Sequence, residues 1–192
     1  EIMTTILSAL KWREKNGSVS LVTDSIGFNY IKALGLDRLY DGGISTALDN
    51  IPDFIDPDIY WAGGKLYALR EQSAPVVMMD TDFIVWEKLL FDNIPAPAAV
   101  IHREDMYPDI YPDPSEFILD DGYSLDPELD RDTLPANTAF LYIKDPDFLR
   151  YYTDTAIEFM EHTKRADNFL TYMVFAEQRL ISMCARKQGF EI

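Results

Sequence analysis

The run Val76-Val77-Met78-Met79-Asp80-Thr81-Asp82 constrains this chain more than any other stretch. A short continuous apolar segment, bounded on one side by Pro75, reads as a strand buried on both faces, as in a parallel sheet with helices on each side. It ends in two carboxylates one residue apart. Unpaired ions in such a place cost several kcal/mol each, so something must neutralise them, and a divalent metal is the simplest single partner. For both acids to serve one site, the strand is expected to break into a turn at this point.

The order of elements around that strand predicts an α/β fold. Residues 2 to 15 carry Ile2, Ile6, Leu7 and Leu10 at helical spacing and stop at a Gly17 cap. A strand over 19 to 24 closes on Asp24. A short helix up to Gly35, a brief strand or turn near 40 to 46 and a helix around 60 to 73 then lead to the strand before Asp80. Helix and strand alternate as in a mostly parallel, Rossmann-like sheet flanked by helices. Ligands of open α/β sheets bind beyond the carboxyl ends of the strands, where Asp24, Asp80 and Asp82 stand. Further on, residues 137 to 145 read as a strand. Asp145-Pro146 opens a helix, and a last helix from Asn168 to Gly189 carries Phe169, Met173, Ala176, Leu180 and Cys184 on one core-facing stripe.

With 192 residues and 47% hydrophobic content, the chain suits a single domain with a real core. A net charge of -16 argues against nucleic acid, because phosphate backbones are bound by Lys and Arg that displace counterions. No run of about 18 apolar residues predicts a membrane span. The lone Cys184 reads as a core side chain, and with no leader pattern a bacterial cytoplasm is expected. The first residue is not Met and a helical pattern starts at once, which predicts a segment upstream. Residues 103 to 135, rich in Asp and Pro, read as an insertion on the surface. The acids Asp126, Glu128, Asp130 and Asp132 lack the Gly and Glu that an EF-hand needs, so they are expected to be solvated. Trp61 and Trp86 read as core residues, His162 as exposed, and His102 as a histidine able to approach a site.

Three ordered pieces carry a resemblance. "YWAGGKLYALREQSAPVVMMDTDFIVWEKL", "LPANTAFLYIK" and "FAEQRLIS" together resemble the GT-A fold sugar-nucleotide glycosyltransferases with a DXD motif, and are similar in layout to bacterial glycosyltransferase families 8 and 32. The resemblance implies a metal-dependent enzyme of polysaccharide biosynthesis, transferring a sugar from a nucleotide-sugar donor to a hydroxyl of a sugar or polysaccharide acceptor. It implies Mn2+ or Mg2+ held by Asp80 and Asp82, with Lys65 facing the donor and Asn137 lining the sugar side. Glu177 and Gln178 would stand where the family's Asp-Gln points into the site. Asp24 is a donor-side candidate by position. Thr138-Ala139 replaces the family's small residue and Gly, Glu177 replaces Asp, and the family's first strand and terminal His have no counterpart between Glu1 and Ile192. The chain is therefore expected to be trimmed at both ends.

Two alternatives accompany this expectation. One is a non-catalytic sugar-binding or partner-binding domain that keeps the fold without turnover. The other is a haloacid dehalogenase-type phosphatase, which also places Asp-X-Asp after a buried strand; here Asp120-Asp121 precedes Lys144, the reverse of that family's order. At the level of single residues, Asp80 and Asp82 would otherwise cap a helix or pair with Arg70 and Lys88. Glu177 would otherwise pair with Arg179 at the surface.

Overall fold

A computed structural model describes residues 2–164 and 169–192, and at 169 and 170 it describes the backbone alone. The protein is mixed α/β, with one two-stranded parallel sheet and one three-stranded sheet among its helices. The chain divides into two compact units: Glu1–Ile51 with Met79–Pro95, and Pro52–Met78 with Ala96–Ile192.

Unit 1 opens with α1 (Ile2–Lys15), released at Gly17, whose φ of 109° is left-handed backbone that glycine adopts without a steric penalty. The buried face of α1 is Ser8, Ala9 and Trp12, whereas Ile2, Leu7 and Leu10 are exposed, so the helix turns a different face inward from the one its apolar spacing predicts. Two side-chain bonds favour this rotation, one local and one long-range. Trp12 Nε1 donates to the Ser18 carbonyl at 3.1 Å and Ser8 Oγ donates to the Phe83 carbonyl at 2.6 Å. β1 (Leu21–Val22) pairs in parallel with β2 (Ile44–Ser45), Leu21 opposite Ile44. Between them lies α2 (Ser25–Ala33), capped by the Asp24 carboxylate, which accepts from Gly27 N–H at 2.6 Å.

Unit 2 contains α3 (Gly63–Arg70) and the sheet in the order β3 (Val76–Met79), β5 (Phe140–Ile143), β4 (Ala98–Val100). β4 and β5 are antiparallel, with Ala98 opposite Ile143. Among the described residues β1 and β2 pair in parallel, and two short sheets stand in place of the single mostly parallel sheet expected from the alternation. β3 is half-buried at all four positions instead of fully buried, because it lies on the sheet edge while β5 takes the centre.

The core of unit 2 is built on α4 (Pro146–Glu161), started as expected by Asp145, whose carboxylate accepts from Phe148 N–H at 2.8 Å. Against it packs a helical run of α5 (Phe169–Val174), a π-helical turn (Phe175–Arg179) and α6 (Leu180–Lys187). Met173, Ala176, Leu180 and Cys184 are all fully buried, which bears out the stripe at those four positions. The helix start expected at Asn168 lies outside the described residues, as does the Phe169 side chain.

The acidic excursion is anchored more firmly than its composition suggests. Phe117 sits within 4.7 to 5.2 Å, ring to ring, of Phe159, Tyr172 and Phe175, and Tyr111 and Leu129 are also buried. Burying each such side chain contributes about 1.5–3 kcal/mol, so this segment belongs to the core and is not only a surface loop. Trp61 and Trp86, expected in the core, are 60% and 56% exposed.

Candidate functional site

The strand before Asp80 ends at Met79, and Phe83 N–H donates to the Asp80 carbonyl at 3.0 Å. That bond closes the expected turn across Asp80-Thr81-Asp82. Asp80 is half-buried and Asp82 exposed. Arg70, considered as a partner for these acids, bonds Asp154 at 3.2 Å. Among the described residues no three His, Cys, Asp or Glu side chains group around a cation. Two carboxylates at a strand end, one open to solvent, nonetheless suit a divalent ion of the Mg2+ type, which takes its other ligands from water and from substrate phosphates. Asp24 belongs to the same unit, where one of its carboxylate oxygens is committed to the α2 cap.

In unit 2 the fold assembles a second constellation from five separate segments. Lys65 on α3 places Nζ 2.6 Å from Oε1 of Glu177 in the π-helical turn. Thr138, just before β5, donates from Oγ1 to the same Glu177 oxygen at 2.8 Å. Tyr152 on α4 donates its hydroxyl to the Glu177 carbonyl at 2.8 Å, and Tyr111 of the excursion donates to Gln178 Oε1 at 2.6 Å. Gln178 in turn accepts at its carbonyl from Ala136 N–H at 2.9 Å. A π-turn shifts the hydrogen-bonding register by one residue, which leaves backbone carbonyls available to side chains such as Tyr152, and such turns recur at functional sites.

The Glu177 side chain is 4% exposed and that of Lys65 26%, so neither is a solvated surface group. Arg179 does not pair with Glu177. It is itself buried, and its guanidinium donates to the Arg131 carbonyl at 2.7 Å and contacts the Met106 sulfur at 3.2 Å. Burial pushes the Tyr111 phenol above its ordinary range and the fully enclosed Tyr152 phenol well above it, so both act as hydroxyl donors at neutral pH.

Asn137 stands beside this network. Its amide donates to Glu104 Oε1 at 2.8 Å, and that carboxylate oxygen lies 3.1 Å from His102 Nε2. The His102 and Glu104 side chains are 54% and 30% exposed, which makes them the solvent-facing end of the polar array. His162 lies elsewhere, half-exposed at the end of α4 and stacked on Tyr123.

The family profile of DUF6734 matches residues 1–192. The chain belongs to that family, one of unknown function. Neither curated proteins nor solved structures give a match.

Of the residues that sequence reasoning singled out in this DUF6734 chain, the fold brings Lys65, Glu177 and Gln178 into one network and puts Asn137 at its flank. Asp24, Asp80 and Asp82 belong to unit 1. Tyr111, Tyr152 and Glu104 were missed. They lie in an apolar helix face and an acidic loop, where nothing local distinguishes them from packing or solvated residues. Thr138, read from sequence as a departure from a small-residue pattern, is the buried hydroxyl that supports Glu177. Among the described residues no helix is long and apolar enough to cross a membrane.

Proposed function

We propose that this protein is a glycosyltransferase of the GT-A type, moving a sugar from a nucleotide-sugar donor to a hydroxyl of a sugar or polysaccharide acceptor. The observation that carries the reading is the cluster of Lys65 and Thr138 around the buried Glu177 of the π-helical turn, at the positions where the resemblance expects donor-facing and catalytic groups. The turn across Asp80-Thr81-Asp82 supports it as well. In this reading Asp80 and Asp82 hold Mn2+ or Mg2+, which when bound supplies positive charge against the departing diphosphate. Lys65 contributes a cation on the donor side. Glu177 and Gln178 orient the sugar hydroxyls through charge-assisted and neutral hydrogen bonds, fixing the reacting geometry. Asn137 and Glu104 offer a donor and an acceptor on the flank.

A non-catalytic sugar-binding role is the second reading. It is favoured by one feature: Glu177 Oε1 already accepts from both Lys65 and Thr138, which gives that oxygen a structural role without a substrate.

Thermal unfolding with manganese and UDP-, GDP- or CMP-sugars tests the proposal. A metal-dependent rise in Tm with one nucleotide that Asp80→Asn abolishes, together with sugar transfer or donor hydrolysis, is the expected result. Binding without turnover would select the second reading. No response to any donor by the folded protein would overturn both nucleotide-dependent roles.

A further inference from the structure

Unit 2 contains a cleft of about 380 Å³ away from the Glu177 network. One wall is a face of α4, with Tyr151, Thr155 and Glu158 at i, i+4 and i+7; the other is the segment 122–126, with Tyr123, Ser124 and Asp126. Gly122 has a φ of 91°, which lets the chain turn tightly at the start of that segment. The volume lies in the range of small-molecule sites.

The charges of the lining are unequal. It includes neither Lys nor Arg. Asp126 is bonded by Lys187, and the Thr155 hydroxyl is spent on the Tyr151 carbonyl at 2.8 Å. Glu158 is exposed and has no ion-pair partner among the described residues. Glu158 and Tyr123 line the cleft from its two walls, and burial followed by that carboxylate pushes the Tyr123 phenol upward. A carboxylate without a counter-ion, in a cleft that two tyrosine side chains also line, attracts a cation by charge and by the ring quadrupole. The same arrangement repels anions. The net charge of -16 adds a field that concentrates cations around the protein.

We propose that this cleft binds a small organic monocation through its ammonium group, with Glu158 as counter-ion and Tyr123 and Tyr151 as aromatic walls. The proposal is independent of the transferase reading. One unpaired carboxylate in the lining selects a single positive charge, and the hydroxyl of Ser124 offers a further acceptor for an ammonium N–H.

The test is an NMR titration of the 15N-labelled full chain with n-butylammonium chloride, using n-butanol as the uncharged analogue. Saturable shifts at amides of 122–126 and 155–158 are expected for the cation and not for the alcohol. Glu158→Gln should weaken binding roughly tenfold, as expected for loss of a hydrogen bond to a charged group. Ser124→Lys, at an exposed position, should supply a tethered ammonium and block the site. Equal binding of butanol, an unchanged Kd in Glu158→Gln, shifts mapping elsewhere, or no saturable shift would each overturn the proposal.

Discussion

Lys65 and Glu177, 112 residues apart in the chain, meet at 2.6 Å with the carboxylate almost fully enclosed and the ammonium partly open to water. The asymmetry matters for what each side chain does to stability. A buried charge stripped of its partner cannot be rehydrated, whereas a partly exposed ammonium can turn toward solvent.

Lys65→Met should therefore cost more than Glu177→Gln. The first leaves a buried carboxylate that keeps the Thr138 hydroxyl but loses its cation, and is expected to lose about 3 kcal/mol; the second leaves a cation that can reach water and should lose about 1–2 kcal/mol. The double variant should lose less than the sum of the two. Urea unfolding of the four proteins checks this, and additive losses would mean that the pair is not energetically coupled.

Cys184 should be chemically silent in the folded protein. Its side chain is fully buried, and desolvation pushes its thiol up to about 12, so almost no thiolate exists at pH 8. The thiol reagent DTNB should fail to react until denaturant is added and then titrate one thiol per chain. The sign for stability follows from the raised value. The unfolded chain releases this proton near the ordinary thiol range while the folded one retains it, so the contribution falls as pH rises above about 9. Rapid native labelling would place Cys184 outside the core.

Asp126 makes the opposite pH prediction. Its bond from Lys187, and then the Glu128 backbone N–H, hold its carboxyl below the usual range. A depressed folded value gives stability that is present above the unfolded carboxylate range and is lost as pH falls through the folded value. Acid below the ordinary carboxylate range, about pH 4, should thus loosen the join between the excursion and the end of α6. Amide exchange over 119–133 should rise as pH is lowered, after correction for intrinsic rates, and Asp126→Asn should flatten that dependence.

Much of the local structure is legible in the chain itself. Asp145-Pro146 announces the start of α4 because a carboxylate cap and a proline without an N–H both suit a helix N-terminus. The spacing of Met173, Ala176, Leu180 and Cys184 places those side chains on one buried stripe, and the apolar run before Asp80 places the turn that follows it. These signals are short-range and depend on helix period, caps and strand length. Tertiary packing settled the rest. It rotated α1 so that Ser8, Ala9 and Trp12 face inward while Leu7 and Leu10 do not, because the bond from Ser8 to the distant Phe83 carbonyl, with that from Trp12 to Ser18, rewards that rotation. It drew Phe117 and Tyr111 of an acidic loop into the core, and left Trp61 and Trp86 exposed. Above all it decided that Lys65, Thr138, Tyr152 and Glu177 converge. No local pattern encodes such a meeting, since the free energy that pairs a buried carboxylate with a lysine exists only once the surrounding core has excluded water.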